Sequence, residues 1–211
     1  MKVGILAVQG DFEAHAAMLA RIGADYVFVR TPRDMEGVDA VILPGGESTT
    51  QWKFLVEEGL DKSLAEHAAK GGAIFGTCAG AILLAKEVRN PPQPSLGLAD
   101  ITVIRNAYGR QLASEVRHGA TYISPEPMEM VFIRAPVIEH IGPDVLVLAK
   151  SEGQTVLVRQ GRILIATFHP ELTSNTSVHE YFLRMARDRD SQHQHSSGIP
   201  ANLSPSPVEP Q

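Results

Sequence analysis

The stretch 73–84 constrains the fold more than any other part of the chain. It reads Ala-Ile-Phe-Gly-Thr-Cys-Ala-Gly-Ala-Ile-Leu-Leu and holds the only cysteine, Cys78, between Gly76 and Gly80. A short apolar run at 73–75 enters it as a strand would, and a helix-like apolar run at 81–85 leaves it. A strand that turns into a helix on a single residue forces that residue into a strained backbone conformation, so its neighbours must be small. Gly76, Ala79 and Gly80 meet that need. The pattern is a nucleophile elbow with a thiol in place of the hydroxyl. At a helix N-terminus the dipole and the free N–H groups favour a thiolate and can hold an oxyanion. A lone cysteine is also commonly a buried structural residue, and the flanking glycines alone leave both readings open.

The chain around the elbow alternates between strand and helix patterns. Residues 3–8 read as a buried strand, and Gln9-Gly10-Asp11 as a turn with Asp11 placed to cap a helix over 12–22 that Gly23 stops. Further strands fall at 26–30 and 40–43, and helices at 50–55 and 60–70. Such alternation predicts a three-layer α/β fold around a mostly parallel, doubly wound sheet with right-handed crossovers. The back half differs. Residues 86–96 read as irregular, with an exposed Pro-rich loop at 90–94, and 101–104 reads as a strand. Runs at 130–134, 145–149, 155–159 and 163–168 are closely spaced strands, two of them joined by Gln160-Gly161, which adds antiparallel strands to the parallel core. A helix over 177–187 closes a single domain, 1–187. Residues 188–211 are rich in Ser, Gln, His and Pro and read as a disordered tail.

Two more loops carry candidate chemistry. The strand at 40–43 ends in Pro44-Gly45-Gly46-Glu47-Ser48-Thr49-Thr50, whose paired glycines let the backbone approach a ligand. It sits, like Cys78, at the carboxyl end of a strand, where open α/β sheets place their sites. No Gly-x-x-x-x-Gly-Lys or Gly-x-Gly-x-x-Gly accompanies it, which weakens a nucleotide reading. Taken alone, the loop is better read as an ordinary glycine turn with Ser48 as the cap. The strand at 163–168 delivers His169-Pro170-Glu171. His169 is suited to take a thiol proton, and Glu171, on the same side of an extended segment, to orient the imidazole. The other histidines lack such a setting: His15, His67 and His179 fall on predicted helices, and His193 and His195 in the tail. Arg105, after the strand at 101–104, is either a surface charge or a clamp for a substrate carboxylate.

Composition narrows the classes. With 211 residues the chain can bury a full core, and a net charge of −5 argues against nucleic acid or an anionic membrane surface as partner. One cysteine rules out an internal disulfide and suits a reducing compartment. A strand pattern directly after Met1-Lys2, no secretory h-region and no apolar run long enough to span a bilayer predict a cytoplasmic protein. No residues show zinc-ligand spacing, so neither metal nor cofactor is expected.

The residues together resemble the class I (triad) glutamine amidotransferases, through the Cys78 elbow and His169-Pro170-Glu171. They resemble more closely the glutaminase subunits of pyridoxal 5′-phosphate synthase. That closer resemblance rests on Ala7-Val8-Gln9-Gly10, the 44–50 loop, Gly76-Thr77-Cys78-Ala79-Gly80, Arg105-Asn106-Ala107-Tyr108-Gly109-Arg110-Gln111, Phe132-Ile133-Arg134-Ala135-Pro136 and Thr167-Phe168-His169-Pro170-Glu171-Leu172, in the family's order across residues 1 to 187. It implies that Cys78, His169 and Glu171 are catalytic and form a thioester with L-glutamine. It implies glutamine contacts from Gly46, Glu47, Ser48, Arg105, Ile133 and Arg134, and an oxyanion hole at Gly46 and Ala79. Gln9 and Gly10 would lie near the synthase interface and help switch that hole on. It also implies ammonia transfer to a synthase subunit within a large ring complex. The 90–94 loop and the tail depart from the family pattern and are expected to lie away from the site. Two other readings keep part of this: a hydrolase of γ-glutamyl peptides, which Arg105 and Ile133-Arg134 oppose, and a catalytically silent regulatory subunit, which the intact Cys78, His169 and Glu171 oppose.

Overall fold

A computed structural model describes residues 1–106 and 114–188. The first half runs β1 (Lys2–Leu6), α1 (Phe12–Arg21), β2 (Asp25–Val29), β3 (Ala40–Leu43), α2 (Ser48–Glu58), α3 (Leu60–Ala69), β4 (Ala73–Thr77) and α4 (Ala79–Leu84). The chain then builds β5 (Ala85–Arg89), β6 (Ala99–Ile104), β7 (Ser114–Gly119), β8 (Met128–Ile133) and β9 (Val137–Ile141). It returns through β10 (Leu146–Ser151), β11 (Gln154–Gln160) and β12 (Ile163–Ala166) and ends on α5 (Ser177–Arg187).

The main sheet has seven strands in the order β10-β11-β12-β4-β3-β1-β2. Strands β2, β1, β3, β4 and β12 pair in parallel, and β11 and β10 continue the β12 edge as antiparallel hairpins. The doubly wound parallel core with added antiparallel strands is therefore as expected, including the hairpin turn at Gly161, where φ is +55°. Successive residues of the central strands feed opposite faces. Ile5, Ile42 and Phe75 join Leu19 of α1 and Phe182 of α5 in one core layer. Val41, Leu43 and Ile74 join Leu55, Leu64 and Leu83 of the α2–α4 layer, with Val103 and Ile138 from the small β5-β6-β9 sheet. A sheet buried on both faces needs near-continuous apolar strands, and this is why β3 and β4 carry no polar alternation.

The order steps from β1 to β2 on one side and to β3 on the other, so the crossovers diverge there and leave a crevice at the strands' carboxyl ends. The 7–11 and 44–48 loops line that crevice and are knitted together. Asp11 N–H donates to Gly45 C=O at 3.0 Å, Glu47 N–H to the Gln9 Oε1 at 2.9 Å, and Gln51 Nε2 to the Gln9 carbonyl at 2.9 Å.

Three strands lie where the sequence shows little. β5 occupies part of the stretch read as irregular; only Ala85 and Val88 of it are buried, and Lys86, Glu87 and Arg89 face solvent. β9 exposes Glu139 and His140, and β7 alternates between exposed and half-buried residues. A one-faced strand of charged residues carries almost no hydrophobic period. Helix α2 begins at Ser48 rather than near 50, and runs on to Glu58, where Gly59 ends it in the left-handed region (φ +74°, ψ +16°). Residues Ala107 to Gln111 of the family block, and the expected tail from 189 on, lie outside the described residues.

Phe182 is fully buried, with its ring centroid 5.4 Å from that of Phe75. Phe182→Ala is expected to lower stability by about 3–5 kcal/mol through lost burial and a residual cavity. Urea denaturation should then show a lower midpoint at an unchanged slope.

Candidate active site

Cys78 is the single residue between β4 and α4, and its backbone has φ +46° and ψ −98°. This is the strained elbow the sequence calls for. The strain is held by neighbours: Cys78 N–H donates to Ala166 C=O at 2.9 Å, and its own carbonyl accepts from Ala81 N–H at 3.1 Å and Ile82 N–H at 3.4 Å. The turn also needs close backbone approach. A Cβ on Gly76 would come within 2.7 Å of the Gly80 backbone, and one on Gly80 would overlap the Leu43 carbonyl. Cys78 is 6% exposed, with its Sγ 3.8 Å from the Ile133 carbonyl oxygen. Ala79 opens α4, so its N–H is among the first-turn donors a helix leaves unpaired.

His169 follows β12, the strand paired in parallel beside β4. Its N–H donates to Val131 C=O at 2.8 Å, and its ring, 3% exposed, sets Nδ1 2.8 Å from Glu171 Oε1. The extended geometry expected for this pair is absent. Residues Pro170–Leu172 form a 3-10 turn with His169 as its N-cap, and it is the turn that folds Glu171 back onto the imidazole. With Nδ1 on the carboxylate, Nε2 is free to meet the thiol. Burial lowers the His169 pKa, but the hydrogen bond with Cys78 and the Glu171 carboxylate outweigh it and push the imidazole up to about 10. Burial likewise raises the Glu171 carboxyl, yet His15 and His169 beside it hold it below its ordinary value. The arrangement suits proton transfer from thiol to imidazole across a base that a buried anion orients.

Asp11 does not cap α1 with its side chain; its Oδ2 lies 3.6 Å from His169 Nδ1. Asp11, His169 and Glu171 thus bring possible ligand atoms within 4.8 Å of one another. The His169 nitrogen on this side donates to Glu171, and an N–H cannot also coordinate an ion.

The cleft above the thiol measures about 270 Å³ and is lined by Gln9, Gly46, Glu47, Ser48, Cys78, Arg105, Ile133, Arg134 and His169 among others. It therefore gathers nine of the predicted residues. Glu171 lies behind His169, Ala79 under the elbow, and Gly10 against the Gly45 carbonyl. The Glu47 carboxylate is itself the N-cap of α2, accepting from Thr49 N–H (3.3 Å) and Thr50 N–H (2.7 Å) and from both threonine hydroxyls. The capping role that the glycine-turn reading gave to Ser48 thus belongs to Glu47. Arg105 Nη2 stands 3.7 Å from Glu47 Oε1, with its side chain 13% exposed. Ser48 Oγ donates to Gln93 Oε1 at 2.9 Å, so the Pro-rich 90–94 loop, expected to lie away from the site, touches it. Three residues escape a reading of the sequence. His15 and His179 sit on helices, as predicted, but both are fully buried; His15 and Thr77 lie against Glu171, and His179 lies behind His15. Their placement on the apolar faces of α1 and α5 is the available signal.

A family model described as the SNO glutamine amidotransferase family matches residues 5–188. The chain belongs to that family. Among its relatives, the pyridoxal 5′-phosphate synthase subunit PdxT of Koribacter versatilis is 52% identical over 191 residues, spanning 90% of this chain and 98% of that one. The PdxT subunit of Deinococcus radiodurans is 49% identical over 194 residues, spanning 90% and 99%. A crystal structure of a glutamine amidotransferase superposes with a TM-score of 0.83 at 46% identity, covering 87% of this chain and 98% of that one. A second glutamine amidotransferase, from Thermotoga maritima, shares the fold alone, with a TM-score of 0.59 at 15% identity, covering 87% of this chain and 82% of that one.

The Glu47 cap carries a prediction. Burial works to raise its carboxyl, but the Thr49 and Thr50 donors bring it down to about 2. A depressed carboxyl stabilises the fold above its ordinary pKa and loses that contribution as pH falls through the folded value. Glu47→Ala should therefore cost about 1 kcal/mol near neutrality, the ordinary worth of a partly exposed cap. Denaturation of both proteins across acid pH should show the difference intact above roughly pH 4.5 and vanishing towards about pH 2.

Proposed function

We propose that this chain is the glutaminase subunit of a pyridoxal 5′-phosphate synthase, with Cys78, His169 and Glu171 as its catalytic residues. The observation that carries the assignment is a strained thiol at a strand end, beside a histidine whose far nitrogen is fixed by a buried carboxylate. Relatives about half identical over nearly their whole length bear the synthase-subunit name. The glutaminase unit is residues 1–187. Its setting is the cytoplasm, and no helix among the described residues is long and apolar enough to cross a membrane.

The geometry supports the following reaction. His169 takes the Cys78 proton, and the thiolate attacks the side-chain amide carbon of L-glutamine. The carbonyl oxygen becomes an oxyanion within reach of the Ala79 N–H at the start of α4 and of the Gly46 backbone across the cleft. The His169 imidazolium, held by Glu171, gives its proton to the leaving nitrogen, and the C–N bond breaks to release ammonia and leave a γ-glutamyl thioester. Water, losing a proton to His169, attacks the thioester; glutamate leaves and the thiol is restored. Arg105 receives the α-carboxylate of glutamine, and Glu47, Ser48, Ile133 and Arg134 line the rest of the cleft. Ammonia passes to the synthase subunit in a large ring complex, with Gln9 and Gly10 at the face turned to it. Because Gln9 Oε1 accepts from Glu47 N–H, a contact made at Gln9 acts directly on the Gly46–Glu47 peptide.

Glutamate release from glutamine, measured with and without the cognate synthase subunit, tests the reading. Wild type should be stimulated by the synthase. Cys78→Ala should abolish release, and His169→Asn should lower kcat roughly 10³-fold or more. Equal release by wild type and Cys78→Ala would sink the assignment.

A further inference from the structure

Behind the Glu171 carboxylate lies a buried row of polar side chains that the steps above do not use. His179 Nε2 is 2.9 Å from His15 Nδ1. His15 Nε2 is 3.1 Å from Thr77 Oγ1 and 3.5 Å from Glu171 Oε1. Thr77 Oγ1 is in turn 3.4 Å from the same Glu171 Oε1. Three separate elements supply the row: α1 gives His15, the elbow strand β4 gives Thr77 and α5 gives His179. The carboxylate itself is 0% exposed at its side chain, and His15, Thr77 and His179 are each 0% exposed.

The positions of the protons follow from what each end can accept. His15 Nδ1 and His179 Nε2 face each other at 2.9 Å, so one of the two must be bare, and burial favours the neutral form of both rings, lowering His179 to about 3 and lowering His15 against the pull of Glu171. His179 Nδ1 has no hydrogen-bond partner among the described residues. A proton there would be a buried donor without an acceptor, so it sits on Nε2 and is given to His15 Nδ1. The His15 proton is then on Nε2, given to Thr77 Oγ1 with Glu171 Oε1 close by, and the threonine hydroxyl spends its own proton on Glu171. Every proton in the row points towards the carboxylate. The reverse order would aim lone pairs at an anion and strand an N–H at the far end.

We infer that His15 and His179 are positioning residues, which with Thr77 form a one-directional hydrogen-bond chain that fixes the Glu171 carboxylate and, through it, the tautomer and orientation of His169. This rests on reading Glu171 as the carboxylate of the triad. The chain compensates for the site's burial. Glu171 Oε2 has no partner among the described residues, so the donors that hold the anion converge on Oε1, which His169 also uses. The other titratable groups facing the pair are Asp11, from the start of α1, and Cys78, across the His169 ring.

The test compares two substitutions at one position in the glutaminase–synthase complex. In His15→Gln the side-chain amide reaches the place of the ring Nε2 and keeps a donor for Thr77 and Glu171, whereas in His15→Asn it reaches only the place of Nδ1. His15→Asn should lower kcat about tenfold with KM unchanged, the loss expected when a buried carboxylate gives up a donor. The acid limb of its kcat/KM profile should move to higher pH, because an anion without that donor is protonated more readily. His15→Gln should recover most of the rate and the original limb. Equal losses in both variants, or none in either, would overturn the inference. An independent readout needs no variant. Nitrogen-15 NMR of histidine-labelled wild type should show Nδ1 of His15 and of His179 bare and Nε2 protonated around neutral pH. A proton on His15 Nδ1 would reverse the chain and dismiss it. Wild type that releases no glutamate would instead defeat the glutaminase reading, and the NMR result would still decide the direction of the chain.

Discussion

The parallel pairing of β4 with β12 is the constraint on which the site depends. The two strands lie almost ninety residues apart in sequence, yet Thr77 faces Ala166 in register and Cys78 N–H closes the ladder on the Ala166 carbonyl at 2.9 Å. One more residue on β4 gives the thiol, and three more on β12 give the imidazole. A slip of a single residue in this pairing would send alternate side chains to the wrong face and separate the thiol from the imidazole. The large apolar residues of both strands, Phe75 and Ile74 on one and Leu164 and Ile165 on the other, are divided between the two core layers. Hydrophobic burial on both faces therefore sets the register, and the register sets the chemistry.

The second constraint is the knot between the first and third strand ends. Gln9 accepts from Glu47 N–H through its side chain and from Gln51 through its carbonyl, and Asp11 N–H reaches Gly45. These bonds cross the point where the sheet's winding reverses, so the glycine loop is held as firmly as the strands that carry it. Glu47 then caps α2 from inside the same loop. A residue expected to contact glutamine thus has its carboxylate engaged by the helix, with an oxygen 3.7 Å from Arg105 Nη2.

Much of this is legible in the sequence because it rests on local rules. Gly76, Cys78 and Gly80 announce a sharp strand-to-helix turn, and β1, β3 and β4 announce a sheet covered on both faces. His169 and Glu171 stand out as a pair, although a 3-10 turn joins them where the sequence suggests an extended segment. What stays hidden depends on contacts between distant parts. β5 and β9 pair mainly through backbone bonds and show solvent a charged face, so their sequences carry little period. Gln93 lies in a loop whose prolines signal exposure, and nothing near it signals that it meets Ser48. His15 and His179 are invisible as a pair because each looks like an ordinary helical histidine until α1 and α5 are laid on the same side of the sheet.

The cleft's charges have a consequence for how a ligand arrives. Arg105 and Arg134 are set against Asp11 and Glu47 around one opening, so their formal charges cancel. Seen from beyond a Debye length, about 8–10 Å in physiological salt, these four groups present almost no net field. At contact distance opposite charges stand close together, with Arg105 Nη2 3.7 Å from Glu47 Oε1. A small ligand without net charge is accordingly not drawn in by them from afar. These four groups therefore add little to its encounter rate and little dependence of that rate on ionic strength.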